Sequence, residues 1–503
     1  MPRRISRELK TLSVWALSLA ISGCIGTGGI APQGQTLAAN TLLTDEAIQS
    51  AERDAHWPAA QWWQAYGDQQ LNQWITRAVQ GSPSLAMAAA RVRQARALAG
   101  LAESAESVQI KGDAALKRHN WANDQFYGPG ELASTTTWDN NAGLGLSYSL
   151  DLWGRESNAS ERAVDLAHMS VAEARQARLE LQNSIVHAYI QLSLQYAQRD
   201  IVEATLKQQM QILELAQKRL NGGIGTHFEV SQAETPLPET HRQIDSLDEE
   251  IALSRNQLAA LAGVGPGAGA HLQRPSLSLH TALKLPSALP AQLLGQRPDV
   301  VASRWQVAAQ ARGIDVAHAG FYPNVDLVGN LGYMATGGGL LAFLTGKKFN
   351  YGVGPAVSLP IFDGGRLRAE LGDAAAGYDI AVAKYNQTLV NALKGISDQL
   401  IRRESLDKQQ VFAAQSVASA QKTYDIAMVA YQRGLTDYLN VLNAQTLLFH
   451  QQQVEQQVQA ARLSAHAELI TELGGGLGAG DDVPAESRTV ANKPPAVLAA
   501  FDH

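Results

Sequence analysis

One cysteine in 503 residues leaves no pair for a disulfide, and Cys24 stands so near the start that no thiol remains for chemistry in the body of the chain. Aromatic residues make up 6% of the sequence, too few for a set of compact enzyme cores. The formal charge of −6 is small for this length. No basic cluster interleaved with aromatics is present, so nucleic acid is not an expected partner. Histidines are scattered, without HExxH or paired ligand spacing, so no metal, cofactor or catalytic constellation is expected. Beyond the first residues no apolar run of about 18 occurs, so a bilayer cannot be crossed by helices. Between Gly154 and Gly222 there is neither glycine nor proline. A helix of roughly 65 residues, about 100 Å long at 1.5 Å per residue, is the expected result.

What the chain does have is written twice. Ser147-Tyr-Ser-Leu-Asp-Leu-Trp-Gly-Arg155 is answered by Ser358-Leu-Pro-Ile-Phe-Asp-Gly-Gly-Arg366, and Phe228-Glu-Val-Ser-Gln-Ala-Glu234 by Leu439-Asn-Val-Leu-Asn-Ala-Gln445. Both echoes share one offset, so a whole structural unit is duplicated. Each copy reads helix, two strands, very long helix, short turn, long helix. The second long helix spans Arg366 to Arg433, softened by Gly372, Gly377 and Gly395, and its return runs from Tyr438 to about Leu473. Apolar positions at helical spacing require each helix to bury one stripe against neighbours.

From Ala142 the sequence alternates: Ala142, Leu144, Leu146, Tyr148, Leu150 and Leu152 on one face, with Gly143, Gly145, Ser147, Ser149 and Asp151 on the other. The second copy has Tyr351, Val353, Pro355, Val357, Leu359 and Ile361 against Gly352, Gly354, Ala356, Ser358 and Pro360. Partner strands are expected from Val108 to Lys117 and from Asn324 to Tyr333. A period of two over about 11 residues fits a tilted membrane strand, and equally a soluble sheet with one wet face. About four strands cannot close a lipid-spanning barrel, which takes at least about eight, so a membrane reading requires several copies of the chain.

At the N-terminus, Arg3, Arg4, Arg7 and Lys10 precede the apolar stretch Thr11–Ala20, the pattern of a signal peptide over residues 1–23. Ile21-Ser22-Gly23-Cys24 resembles a bacterial lipobox, which makes Cys24 the expected lipidation (palmitate) site. Ile25 in place of Asp implies sorting to the outer membrane.

From Trp57 to Gly476 the chain resembles the TolC-like outer-membrane efflux factors, in their NodT-type lipoprotein branch. The motifs that carry the resemblance are Trp62-Trp63, Asp68-Gln-Gln-Leu71, Ser82-Pro83, Leu150-Asp-Leu-Trp-Gly-Arg155, the stretch from Leu289 to Arg297-Pro-Asp-Val300, Phe321-Tyr-Pro323, Leu359-Pro-Ile-Phe-Asp-Gly-Gly-Arg366 and Leu435-Thr-Asp-Tyr-Leu-Asn-Val441. The resemblance implies a mixed α and β membrane protein, internally duplicated. Three protomers would share a 12-stranded outer-membrane β-barrel, continued by a long periplasmic α-helical coiled-coil barrel. It implies a non-enzymatic exit channel for drugs or toxic small molecules, docked on a periplasmic adaptor and an inner-membrane pump. An exit duct for a secreted protein or peptide is the alternative within transport; a periplasmic coiled-coil adaptor is the alternative outside it. The expected divisions are a lipidated linker 24–56, a first repeat 57–262, an equatorial linker 263–290, a second repeat 291–473 and a Gly/Pro-rich tail 474–503.

Two departures from the family pattern stand out. Pro236 and Pro238 predict a kink or a new helix start after the first turn, and Leu477 stands where this branch often has Trp. The resemblance places the hairpin turns at the periplasmic tip. Gly222, Gly223, Gly225, Thr226 and Phe228, with Gly434, Leu435, Thr436 and Tyr438, are the candidate adaptor contacts. Tyr424, Arg433 and Asp437 are the candidate gate, Asp437 as a ring of three carboxylates and Arg433 as its ion-pair partner. Gly337-Gly-Gly-Leu340 is expected as an external loop of the barrel.

Overall fold

The structure is a computed structural model, and it describes residues 26–38, 42–43, 45, 48, 58–122, 134–278 and 297–476. The signal segment, Cys24, the end of the equatorial linker with Leu289, and the tail from Leu477 lie outside the described residues. In chain order the elements are α1 (Gln69–Gly81), α2 (Pro83–Ser104), β1 (Gln109–Asn120), β2 (Thr136–Ser149), α3 (Arg155–Asn221), α4 (His227–Glu234), α5 (Pro236–Leu261), the single turn α6 (Pro266–Gly269), α7 (Pro298–Ala319), β3 (Asn324–Thr336), β4 (Phe349–Ser358), α8 (Arg366–Gln432) and α9 (Tyr438–Glu472).

The duplication is kept in the geometry. α3 and α8 are both 67 residues long, about 100 Å, and α2 and α7 are both 22. The four strands form one antiparallel sheet in the order β1-β2-β3-β4, so the two repeats join through β2 and β3. Register aligns like with like: Ile110 faces Leu146, Leu144 faces Leu331, and Leu331 faces Tyr351, while Lys111 faces Gly145 and Gly145 faces Asn330. One face of the sheet is therefore mainly apolar through all four strands and the other mainly polar, with Val328 and Met334 as its apolar exceptions. β1 and β4 each lack an outer neighbour among the described residues, which leaves two open edges.

The strand limits differ from those expected. β2 begins at Thr136, six residues before Ala142, and ends at Ser149, so Leu150 and Leu152 are not in it. β4 ends at Ser358, which excludes Leu359 and Ile361. β1 runs on to Asn120 and β3 to Thr336. The reason lies in the corners. Asp151 turns at φ 40° and its carboxylate accepts the N–H groups of Glu156 and Ser157, both at 2.9 Å. Asp363 accepts those of Gly365 and Leu367, also at 2.9 Å. Gly154 and Gly365 take positive φ, 70° and 92°, at the helix starts. The repeated Asp-x-x-Gly-Arg and Asp-Gly-Gly-Arg motifs are thus strand-to-helix corners. Each ends its strand early by capping the long helix that follows.

Midway along the helices sits the largest apolar cluster. Trp62, Trp63, Tyr66, Leu71, Trp74 and Ile75 pack against Ile185, Tyr189 and Leu192 of α3 and Leu463 and Ile470 of α9. Asp68 fixes this belt: its carboxylate accepts from Leu71 N (3.1 Å), Tyr189 Oη (3.0 Å) and Ser276 N (2.8 Å). In the second repeat, Arg297 donates to Asp299 and, at 2.6 Å, to Glu472, joining the start of α7 to the end of α9.

The N-terminal segment runs along α8. Arg368 donates to Gly26 O at 3.0 Å, Gln33 N and Gly34 N donate to Asp379, and Asn386 bonds Gln35 and Leu37. Its start is therefore held next to the corner where β4 meets α8. Among the described residues no helix is long and apolar enough to cross a membrane.

Candidate functional site

At the far end from the sheet the two hairpins turn in the same way. The first closes with Gly223 at φ +74°, its N–H on Leu220 O, and with Ile224 N on Arg219 O, each 3.0 Å. The second closes with Gly434 at φ +73°, its N–H on Tyr431 O (3.0 Å), and with Leu435 N on Ala430 O (2.9 Å). Both are Schellman closures, which require the positive φ that glycine gives freely. Gly222 is right-handed at the end of α3 and Arg433 at the end of α8. Gly225 is needed for space, since a Cβ there would stand 2.7 Å from Leu220 N.

Each return helix is capped by the residue just before it. Thr226 Oγ1 accepts from Glu229 N (3.2 Å), and Asp437 Oδ1 accepts from Asn440 N (3.3 Å) and Asn440 Nδ2 (2.9 Å). Asp437 is thus engaged as a helix cap, and no ion pair joins it to Arg433 among the described residues. Thr436 is held by Asn440 Nδ2 at 2.8 Å.

Outward from this frame stand apolar side chains: Ile224 (71% exposed), Phe228 (70%), Leu435 (76%) and Leu439. Of the expected contact residues, Phe228 and Leu435 do present a surface. Tyr438 does not; it is 1% exposed and packs with Tyr424, Tyr431, Ile212, Ala216 and Ala233 in one cluster joining both hairpins. Tyr424 is buried there too. The physical reason is the same for both. Each lies on the inward stripe of its helix, where burying a ring outweighs exposing it. Burial, with Tyr431 and Tyr424 nearby, pushes the Tyr438 hydroxyl up to about 12, and burial raises Tyr431 and Tyr424 as well. The cluster is neutral at physiological pH.

The residues that tie one hairpin to the other were not among those singled out from the sequence. Arg219 of α3 lies 5.0 Å from the ring centroid of Tyr431, donates to Tyr431 O at 3.3 Å and faces Glu229 at 3.9 Å. Cation–π attraction and the ion pair act together on a side chain that is mostly out of water. Thr226-His-Phe-Glu229 carries the spacing of a capping box, a signal that could have marked Glu229. Here the Glu229 carboxylate turns to Arg219. Among the described residues no group of acidic, histidine or cysteine side chains is arranged to hold a metal.

Comparison with known proteins agrees with this architecture. The chain matches the family described as outer membrane efflux protein over residues 74–264 and 289–475, one segment for each repeat. It is 45% identical over 481 residues to the fusaric acid resistance protein FusA of Burkholderia cepacia, covering 94% of this chain and 89% of that protein. It is 28% identical over 487 residues to the multidrug resistance outer membrane protein MdtP of Escherichia coli K12, covering 95% and 99%. Among solved structures, the outer membrane protein VceC of Vibrio cholerae superposes with a TM-score of 0.78 at 35% identity, over 84% of this chain and all of that one.

Proposed function

The chain belongs to the outer membrane efflux protein family, and from that premise we propose that it works as a homotrimer whose three sheets close into a 12-stranded barrel. It is an outer-membrane exit channel of an efflux system. The observation that carries the trimeric reading is the sheet: among the described residues, four strands with one mainly apolar face and two unpaired edges. Such a sheet satisfies its edge backbone in lipid only by pairing β4 of one copy with β1 of the next. The polar face then lines the passage and the apolar face meets lipid. The mass of the detergent-extracted particle tests this, and a monomer or dimer that still conducts in planar bilayers would refute it.

The far tips receive a periplasmic adaptor, and through it an inner-membrane pump supplies the energy. Ile224, Phe228, Leu435 and Leu439 offer the apolar anchors, and the turn glycines let a partner approach the backbone. Arg219, Glu229 and Tyr431 hold the two hairpins together in the resting tip, a role given from the sequence to Tyr424, Arg433 and Asp437. The cargo is a toxic small molecule, a reading supported by the fusaric acid and multidrug resistance names of the relatives. The chain itself performs no chemistry on it.

Cys24 carries the lipid. Gly26, two residues on, is held by Arg368 beside the β4–α8 corner, which is where the inner leaflet would lie if the sheet spans the membrane. Replacement of Cys24 by Ser is expected to abolish acyl labelling while the trimer still assembles. Equal labelling of both proteins would refute the anchor.

A further inference from the structure

The loop joining β3 to β4 does not project from the end of the sheet; it folds back over the apolar face. Gly337 and Gly338, at φ 98° and 85°, reverse the chain, and Gly337 N donates to Trp138 O at 2.8 Å. Asn140 lies in the same column of β2 as Ala142, Leu144 and Leu146, yet it is 1% exposed. Its amide donates to Leu340 O at 2.7 Å and accepts from Lys117 N at 3.1 Å. A polar group on a mainly apolar face is thus covered and satisfied by the loop. Phe343 and Ala335, both buried, fix the loop in place.

What the loop shows outward is Leu341 and Leu344, followed by Lys347 and Lys348. Neither lysine has an ion-pair partner among the described residues. Arg118, on the same face, lies over the ring of Trp138 at 5.8 Å. The carboxylates of Asp113 and Asp139 belong to the opposite face by register. Along β4 toward its start the apolar face therefore changes from Val357 and Val353 to the rings of Tyr351 and Phe349, and then to the paired lysines. Aliphatic, aromatic, cationic is the order of acyl chain, interface and anionic headgroup met on leaving a bilayer.

We propose that this rim is a binding site for a phosphate-bearing amphiphile of the outer leaflet, with its phosphates on Lys347 and Lys348 and its acyl chains on Leu341 and Leu344. The inference rests on the reading of the sheet as the membrane wall. It makes the β3–β4 loop a lipid clamp over the outer end of β2 and β3.

The test uses the purified full-length protein in detergent, titrated with bis-phosphorylated lipid A, with the same glycolipid stripped of phosphate, and with inorganic phosphate. Lipid A is expected to bind and raise the thermal midpoint, the dephosphorylated form to bind about tenfold more weakly, and inorganic phosphate to have no effect. The double variant Lys347→Gln, Lys348→Gln is expected to bind the two glycolipids equally. Leu341→Ser with Leu344→Ser is expected to weaken both. Unchanged discrimination in the lysine variant, equal binding of inorganic phosphate, or a second copy of the chain covering the loop would each overturn the proposal. Conductance in planar bilayers is measured in parallel: a wild type that conducts while the lysine variant keeps full discrimination defeats the lipid site alone, whereas a wild type that never conducts defeats the channel reading beneath it.

Discussion

The two hairpins share a backbone and differ in almost everything attached to it. Both begin at an Asp-capped glycine corner, run 67 residues and turn through a Schellman closure. The first returns in two pieces, α4 and α5, parted at Thr235 before Pro236; the second returns as the single α9. At matching positions Leu220 stands against Tyr431, Glu229 against Asn440 and Arg255 against His466. The lesson is that duplication conserved what ends and caps the elements. The side chains between the copies were free to become complementary: a cation and carboxylate on one tip, aromatic rings on the other.

The largest effect is expected where the second repeat has a clamp and the first, among the described residues, has none. Arg297, 12% exposed, holds Asp299 and Glu472, whereas Ser82 at the matching helix start bonds Ser84. Arg297→Ala strands two carboxylates and is expected to cost roughly 3 kcal/mol, while Ser82→Ala costs under about 1 kcal/mol. Thermal dissociation of the assembled protein measures both, and equal costs would break the contrast.

Next comes acid. Burial, with Arg403 nearby, lowers His466 to about 4, and its Nδ1 lies 3.2 Å from the Tyr66 hydroxyl. The folded state holds the ring neutral, so its stability is complete above the unfolded value near 6.5 and is lost as pH falls toward 4. At pH 5 the loss is roughly 2 kcal/mol. His466→Asn is expected to flatten that profile. The first repeat has Arg255 at the matching position and so no histidine there.

A smaller effect is expected at the tips. Arg219→Ala removes about 1 kcal/mol of contact between hairpins and is expected to raise single-channel conductance at low salt, while Arg433→Ala leaves it unchanged. The reverse result would return the gate to Arg433 and Asp437. Smallest are the caps: Thr226→Ala and Asp437→Ala are each expected to cost about 1 kcal/mol, alike if the two turns are mechanically equivalent.

Much of this was legible in the sequence, for definite physical reasons. Repeated motifs located the corners, and a period of two gave the faces of all four strands, because alternation survives whatever the sheet packs against. The break announced by Pro236 and Pro238 appears as the start of α5. Strand ends were not legible, since alternation continues through Leu150 and Leu359 although Asp151 and Asp363 have already claimed the backbone for the next helix. At the tips, Tyr424 and Tyr438 look alike on paper whether they face an opening or a neighbour. Only the packing of one hairpin on the other buries them, and the same packing brings Arg219 to Tyr431 across half the chain.

Leu146 and Ser147 are neighbours in β2 on opposite faces of the sheet, so one pair of substitutions tests whether the sheet is a membrane wall with a wet interior. Leu146→Arg is expected to cost roughly 2–4 kcal/mol near mid-bilayer and to deplete assembled protein in the outer membrane. Ser147→Arg is expected to leave the amount near that of the unsubstituted protein. Normal assembly of Leu146→Arg with loss of Ser147→Arg would contradict the account, because the apolar face would then be the inside.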